Sequence, residues 1–465
     1  MKKRVIFIVV TALLCCLLVA CGSKTRLQAP QNIRQNGPFL IWDEVENAEG
    51  YIVLADNEEY VTAEPSCNLS FLGGETVYVV KIKAVGDGEN FADSDWSEFG
   101  FNEIFKYTLL ADGSGYEVNL SVSSVELQDR KVVVPSTYEN LPVTRIADKM
   151  FYKCASLTEV VLPNTLKEIG ANAFYNCKAL TSIDLPSSVT AIGSGAFSGC
   201  SSLKKLIVPT GIEQIENLTF EGCTSLTEIV LPNTLKEIGV DAFYNCKALT
   251  SIELPESVTA IGPSAFMHCS SLKKIVVPTG IERIESNMFN DCTSLTEVVL
   301  PSTLKEIRGM AFFGCIALEN IELPASVTAI GSIAFGGCSS LKKIVVPTGV
   351  ERIEGSTFVG CSNLTEVVLP STLKEIMGMA FRNCEALKTV VLPSSLKDIG
   401  KGAFSNCPLE SVFFGGTEAE YLSVSVAEGN DSILSAAVYF YSETEPTENP
   451  QKFWRYSGGK PLPWA

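Results

Sequence analysis

The most regular feature of this chain is a pattern of apolar positions that recurs every 23 residues from Leu157. Each copy reads L-x-x-I/V-x-L/V-P-x-x-L/V/I-x-x-I-x-x-x-x-F-x-x-C, and a partial copy precedes the first. The eleven copies begin at Leu157, Leu180, Leu203, Leu226, Leu249, Leu272, Leu295, Leu318, Leu341, Leu364 and Leu387. One copy cannot bury its own apolar side, so we expect neighbours to stack around a continuous core.

Within each copy, the segment L-x-x-V-x-L predicts a short strand that ends at the proline. Alternation along the strand turns the third and fifth residues outward. Parallel strands stack about 4.8 Å apart, so eleven copies predict a stack on the order of 50 Å long. The segments that start LTE, LTS and LKK follow one another in that order, which makes a longer unit of 69 residues.

The outward positions are the candidate ligand-binding residues. At the third position, each lysine precedes a glutamate one copy later, which predicts lateral pairs of modest strength. Eight of the eleven fifth positions are Val or Ile, which predicts an apolar stripe. Such a stripe is typical of a protein interface. Val and Ile also have high strand propensity, so they can occur here without a binding role, and both interpretations stay open. The candidates are Glu159, Lys205, Ile207, Glu228, Val230, Lys274, Val276, Glu297, Val299, Lys343, Val345, Glu366 and Val368.

The repeat resembles the BspA-like, or Treponema-type, class of leucine-rich repeats over most of residues 107–442. The resemblance implies a leucine-rich-repeat solenoid over 157–407, an N-terminal cap over 106–156, and a C-terminal cap and tail over 408–465. It also implies a protein that binds protein ligands, host matrix proteins among them, through the sheet face. An envelope scaffold or glycan-binding surface protein is the alternative.

The N-terminus predicts a secretory signal over residues 1–20, because three basic residues precede an apolar run from Val5 to Ala20. A retained membrane helix is the alternative, but the run is short for a span of about 20 residues. The ending Leu18-Val19-Ala20-Cys21 resembles the bacterial lipobox, which implies acylation of Cys21, a lipidated linker over 21–25, and anchoring on the outer face of the cell membrane.

Residues 26–105 predict a small all-β sandwich that precedes the solenoid. Short alternating runs are broken by Gly, Asn and Asp, and one run places Tyr78, Val80, Ile82 and Ala84 on a single face. The early Trp42, the Gly50-Tyr51 strand and the Asp95-Trp96-Ser97 ending resemble a fibronectin type III module. Such a module implies a spacer or a weak binding unit.

Composition argues against several functions. The formal net charge is −17 and no basic face is visible, so we expect no nucleic-acid partner. The single histidine, His268, leaves few routes to acid–base chemistry near neutral pH, and we expect no catalytic residue, cofactor or metal site. An enzyme or substrate-capture subunit is therefore the least favoured hypothesis. The oligomeric state does not follow from the sequence.

Two residue types recur at fixed positions inside the repeat. The twelve cysteines from Cys154 to Cys407 stand one to a copy, which favours a buried ladder of free thiols over disulfides or a metal site. The phenylalanines from Phe174 to Phe404 predict a core spine. We expect Cys67 to lie in the core of the sandwich, His268 to be a surface turn residue, and the aromatic tail to be a cap rather than a sugar-binding platform.

Overall fold

The computed structural model describes residues 24–36, 39–55, 58–68, 79–100, 105–121 and 131–464. The chain divides into two compact units between residues 101 and 102. The signal predicted for residues 1–20 and the predicted lipidation site, Cys21, lie outside the described residues, as does Tyr78.

The first unit is built from two antiparallel sheets and a short parallel pair, formed by the first and the eighth strand, around one hydrophobic core. A three-stranded sheet and a four-stranded sheet share the core residues Leu40, Trp42 and Val53, and Val80, Ile82 and Ala84 are fully buried on one face, as the alternation predicts. Cys67 is a free thiol buried in this core. The strands are β1 (Thr25–Arg26), β2 (Arg34–Asn36), β3 (Phe39–Ile41), β4 (Gly50–Ala55), β5 (Glu58–Thr62), β6 (Ser66–Asn68), β7 (Val79–Val85), β8 (Phe91–Ala92) and β9 (Ser97–Gly100).

The second unit opens with strands that cover the first repeat: β10 (Phe105–Leu109), β11 (Tyr116–Leu120), β12 (Lys131–Val133), β13 (Thr137–Tyr138) and β14 (Leu141–Ile146). β12 pairs in parallel with the first strand of the repeats, and β10 lies antiparallel to β11 at the outer edge. Phe105, which the sequence analysis assigned to the first domain, is therefore the first residue of a strand in the second unit.

The repeats form a parallel-strand solenoid with two ladders, so the predicted fold is confirmed. The strands are β15 (Glu159–Val161), β16 (Glu168–Ile169), β17 (Ala191–Ile192), β18 (Lys205–Ile207), β19 (Gln214–Ile215), β20 (Glu228–Val230), β21 (Glu237–Ile238), β22 (Ala260–Ile261), β23 (Lys274–Val276), β24 (Arg283–Ile284), β25 (Glu297–Val299), β26 (Glu306–Ile307), β27 (Ala329–Ile330), β28 (Lys343–Val345), β29 (Arg352–Ile353), β30 (Glu366–Val368), β31 (Glu375–Ile376), β32 (Thr389–Leu392) and β33 (Asp398–Ile399).

We call the strands of the L-x-x-V-x-L segments the front ladder and the two-residue strands that follow the proline the back ladder. Front strands pair in register, as Lys205 with Glu228 and Ile207 with Val230. Back strands bury an isoleucine and leave the preceding residue outside, as in β19 and β21. The back ladder was not predicted from the sequence, although each of its strands carries an isoleucine, a β-branched residue that favours strands.

The prediction of one front strand in every repeat is wrong for the repeats that begin at Leu180, Leu249 and Leu318. There, only the isolated bridges Ser182–Lys205, Ser251–Lys274 and Asn320–Lys343 remain. The physical reason is composition, because these repeats combine Ser or Asn at the third position with Asp or Glu at the fifth, all residues of low strand propensity, whereas the other repeats place Val or Ile at the fifth position. The front ladder is thus interrupted once in every 69 residues.

The predicted interior is confirmed. Consecutive phenylalanines from Phe151 to Phe404 stack with ring centroids 5.1–5.8 Å apart. The twelve cysteines of the ladder are free and buried. Each thiol from Cys177 to Cys407 also donates a hydrogen bond to the carbonyl of the phenylalanine 26 residues earlier, which sequence analysis did not foresee.

Beyond the last repeat, the chain continues both ladders and closes the core. The closing elements are β34 (Ser411–Phe414), α1 (Glu418–Leu422), β35 (Ser425–Val426), α2 (Asp431–Ser435), β36 (Ala437–Tyr441), a 3-10 helix (Pro450–Lys452), β37 (Phe453–Ser457) and β38 (Lys460–Pro463). β34, β36, β37 and β38 extend the front ladder from β32, and β35 extends the back ladder from β33.

Candidate binding surface

The front ladder exposes the third and fifth residues of the repeat, which are the first and third residues of a front strand, as the alternation predicts. Strands β18, β20, β23, β28 and β30 each bury the middle residue and expose the two beside it. β15 shows the same pattern, and in β25 the middle residue is half-buried. All thirteen candidate residues from Glu159 to Val368 therefore lie on one open surface, which we call the front face.

Lysine and glutamate pair across neighbouring front strands. The Nζ–Oε1 distances are 2.7 Å for Lys205–Glu228, 2.6 Å for Lys274–Glu297 and 2.6 Å for Lys343–Glu366. Each side chain is about half exposed, so each pair contributes little to stability. The pairs fix the positions of the charges on the face more than they hold the fold together.

Next to each ion pair lies a pair of exposed aliphatic side chains in register. Ile207 is 58% exposed and its partner Val230 is 44% exposed, and the pairs Val276–Val299 and Val345–Val368 repeat this arrangement. The stripe ends at Val391, which is half-buried beside Phe413 of β34. The predicted apolar stripe is therefore a series of aliphatic pairs rather than a continuous band.

The stripe is broken by carboxylates in the repeats that lack a front strand. Asp184, Glu253 and Glu322 occupy the fifth position there, and all three are exposed. These are the three fifth positions that the sequence pattern does not fill with Val or Ile, and they were not among the candidate residues. Their 69-residue spacing was the signal that could have identified them.

The back ladder offers a different surface. Its strands expose only their first residue, which is Glu, Ala, Gln, Arg or Asp, so they present no aliphatic pair. Lys236 and Lys374 lie on this side, with Nζ 2.7 Å from carboxylate oxygens of Glu213 and Glu351. This surface is a natural control for the front face.

Thiols in the body of the cysteine ladder are buried and protonated. Burial raises the pKa of Cys223, Cys269 and Cys361 to about 12, so these thiols stay protonated near neutral pH. A buried, protonated thiol is a poor nucleophile and a poor metal ligand. Within the described ranges, no group of three or more His, Cys, Asp or Glu side chains could hold a metal ion.

His268 is a turn residue, as predicted. It precedes Cys269 with φ +61°, in the left-handed region that Asn, Asp or Gly occupies in most other repeats. Its side chain is 34% exposed, with Nδ1 3.4 Å from Oδ2 of Asp291 and its ring edge-on to Tyr244.

The tail places its aromatic residues partly inside the cap. Trp454 is 1% exposed, and its Nε1 donates a 2.9 Å hydrogen bond to the carbonyl of Phe414. Arg455 lies over the ring of Trp464, 3.8 Å from its centroid. Tyr441 and Tyr456 remain exposed beside Trp454.

Of the residues that the structure describes, none belongs to a helix with the length and apolar character needed to cross a membrane.

Comparison with known proteins agrees with the fold. The family model described as BspA type leucine rich repeat region matches repeatedly within residues 144–422. A leucine-rich repeat protein from Bacteroides ovatus is 29% identical, over 75% of this chain and 95% of that one, with a TM-score of 0.50. No curated protein matches.

Two further solved structures are similar by sequence. A leucine rich cell surface protein from Faecalibacterium prausnitzii is 25% identical over 70% of this chain and 97% of that one, with a TM-score of 0.43. A leucine-rich repeat protein from T. pallidum is 29% identical over 51% of this chain and 88% of that one, with a TM-score of 0.33.

Proposed function

Because this chain belongs to the family of BspA-type leucine-rich-repeat proteins, we propose that it is a non-catalytic surface protein that binds protein partners through its front face. Solenoids of this kind generally serve protein interaction, since stacked repeats create extended surfaces. The observation that carries the proposal is the set of exposed aliphatic pairs, each beside a Lys–Glu pair. They lie on the paired strands β18 and β20, β23 and β25, and β28 and β30.

The chemistry of the front face resembles that of protein interfaces. Apolar side chains supply most of the free energy of association when they are desolvated, and fixed charges around them set register and specificity. The back ladder carries comparable ion pairs without the aliphatic pairs. A preference for the front face is therefore expected even though both faces are charged.

A lipid anchor is the second part of the proposal. The sequence that ends at Cys21 supports cleavage before this residue and acylation of its sulfur, and two or more acyl chains give stable membrane anchoring. The test is incorporation of labelled palmitate by a bacterium that expresses the full chain. We expect labelling that Cys21→Ser abolishes and Cys67→Ser preserves; labelling that persists in Cys21→Ser would contradict the proposal.

In this proposal, the first unit is a fibronectin type III-like spacer between the lipid and the repeats. Its shared core between two antiparallel sheets supports a sandwich. Removing residues 26–100 should leave binding by the soluble solenoid unchanged. Loss of binding on this deletion would make the unit part of the interface.

The partner class is tested by a pull-down with a soluble form of the protein that comprises residues 24–465 and therefore includes all residues that the structure describes. The bait is exposed separately to host extracellular matrix and to bacterial envelope fractions, and bound proteins are identified by mass spectrometry. A saturable host protein, lost when the repeats are deleted, supports adhesion to host matrix proteins. If none of the captured proteins requires the repeats for binding, the proposed function is contradicted.

An envelope scaffold that binds glycans is the second candidate, and the exposed Tyr441 and Tyr456 favour it, since aromatic faces stack on sugars. Enrichment of bacterial glycans alone, abolished by Tyr441→Ala with Tyr456→Ala, would support that alternative.

A further inference from the structure

The residue types on the front face recur every 69 residues, and each 69-residue unit has one carboxylate at the fifth position of a repeat that makes no ion pair with a described residue. Asp184, Glu253 and Glu322 are exposed, and no ion pair involving them occurs within the described residues. We call these three residues the acidic positions. The lysines one repeat later, Lys205, Lys274 and Lys343, each form an ion pair with a glutamate of the repeat that follows them.

Each acidic position lies between two aliphatic side chains. The bridge between Ser182 and Lys205 sets the register, which places Asp184 beside Ile207, and Val161 occupies the fifth position of the preceding repeat. Val161 and Ile207 are 38% and 58% exposed. The bridges of Ser251 and Asn320 likewise place Glu253 beside Val276 and Glu322 beside Val345. Val230 and Val299 occupy the fifth position of the repeats that precede them.

A carboxylate between two exposed aliphatic residues matches the side chains of lysine and arginine. Both carry an apolar stem that gains free energy on aliphatic surface, and both end in a cation that pairs with a carboxylate. The third position in these repeats is Ser182, Ser251 or Asn320, which is smaller than the Lys or Glu in neighbouring repeats. The small residue leaves room beside the carboxylate.

We propose that the acidic positions are three equivalent subsites for basic side chains, and that the partner is a protein chain that presents lysine or arginine repeatedly. The inference rests on the proposed function and adds the chemistry of the partner. Three stacked repeats separate successive subsites by about 15 Å. A partner with basic residues at a matching interval occupies several subsites at once, and its affinity then exceeds that of one contact by avidity.

The first test measures binding of poly-L-lysine to immobilised residues 24–465 at physiological ionic strength. The variant D184N/E253Q/E322Q removes the three subsite charges without changing side-chain size. The control E213Q/E282Q/E351Q removes three exposed charges with the same 69-residue spacing from residues that precede the back ladder. We expect the Kd to rise at least tenfold for the first variant and less than twofold for the control.

Equal effects of the two variants would overturn the inference, because the attraction would then reflect only the overall negative charge. Circular dichroism and thermal unfolding of both variants establish that each remains folded. The substituted residues are exposed, so neither set of changes is expected to disturb the core.

The second test changes the number of subsites. Deletion of residues 226–294 removes one whole 69-residue unit, including Glu253, and brings Lys205 opposite Glu297 as it now lies opposite Glu228. Binding of poly-L-lysine should weaken by about tenfold, whereas tri-lysine, which occupies one subsite, should keep its affinity per site. An unchanged affinity for the polymer would contradict multivalent binding.

The inference and the proposed function fail in different ways. If a partner captured in the pull-down is lost on charge reversal of the front-face lysines but binds D184N/E253Q/E322Q normally, the front face binds proteins and the acidic subsites are wrong. If poly-L-lysine binding follows the prediction but no partner depends on the repeats, the subsites stand and the proposed biological function does not.

Discussion

At the scale of single residues, the structure is defined by positions that every repeat reuses. Two residues in each repeat adopt positive φ: the one before the cysteine and the one four residues earlier. The first position holds mostly Gly, Asn or Asp, which tolerate this conformation. At the second position, the chain also places residues that do not, among them Leu218 and Ile333.

Ile333 is the clearest case of local strain. Its φ is +60°, and left-handed backbone costs a β-branched residue about 1–2 kcal/mol. Asn172 and Asn287 occupy the same position in other repeats. We predict that Ile333→Asn raises the free energy of unfolding by about 1 kcal/mol, measured by urea denaturation.

The control is Ile316→Asn, at an exposed isoleucine that does not have positive φ. This change should leave stability unchanged or lower it. A stabilising effect of equal size at both sites would show that removal of an isoleucine side chain, not relief of backbone strain, is responsible.

The buried thiols make stability sensitive to alkaline pH. Burial raises the pKa of Cys223 to about 12 from an ordinary value of 9.0, so the thiol stays protonated in the folded protein while it ionises in the unfolded chain. Its contribution is complete below pH 9 and is lost as pH rises toward 12, at about 1.4 kcal/mol per pH unit.

Cys223→Ala tests this dependence under reducing conditions. At pH 7 the variant should be less stable by about 1 kcal/mol, because it loses the hydrogen bond to the Phe197 carbonyl and some packing. The difference from the wild type should vanish before pH 10 and change sign by pH 10.5, because the wild type then loses about 2 kcal/mol that the variant keeps, as followed by denaturant midpoints. A difference that stays constant with pH would contradict the assigned pKa.

At the scale of elements, the C-terminal cap reproduces with side chains the hydrogen bonds that a further repeat would make. In the body, the amide of a repeat phenylalanine donates to a backbone carbonyl of the next repeat, as Phe381 does to Ala403. At the last repeat, the amide of Phe404 donates to Oδ1 of the buried Asn430 at 3.0 Å. The hydroxyl of Ser432 donates to the Phe404 carbonyl, where a cysteine thiol would donate in the body.

Asn430→Ala should therefore loosen the end of the solenoid. It leaves the buried amide of Phe404 and the carbonyls of Gly400 and Ala427 without this partner, at a cost of about 1–3 kcal/mol. Hydrogen exchange should accelerate in the last repeat and remain unchanged near Phe174. The exposed Asn363→Ala is the control, and equal exchange in both variants would contradict this account of the cap.

The elements also show what the sequence could and could not predict. The 23-residue pattern predicts the solenoid, the outward row from Glu159 to Val368 and the buried Cys and Phe ladders, because apolar periodicity depends on local spacing. It did not predict the back ladder, whose strands are two residues long and carry one buried residue each. It predicted three front strands that do not form, since the low strand propensity of Ser182, Ser251 and Asn320 opposes the strand that the repeat pattern predicts.

At the scale of the whole second unit, the arrangement of the front face follows the 69-residue period rather than the 23-residue period. It sets where the front ladder is interrupted, where the Lys–Glu pairs lie and where Asp184, Glu253 and Glu322 stand between aliphatic neighbours. Repetition of a surface has a consequence that a single site lacks, because each copy of a weak contact adds to the total affinity. The function of such a surface depends on the number of intact units as well as on individual residues.

The measurement that tests the central claim most directly is the affinity of the captured partner for two charge-reversal variants. K205E/K274E/K343E alters the front face, and K167E/K236E/K305E alters exposed lysines that precede back strands, with the same charge change and the same 69-residue spacing. We predict that the first variant changes the affinity at least tenfold, with tighter binding of the basic partner inferred above, and that the second leaves it within twofold. Equal changes of affinity in the two variants would contradict binding through the front face.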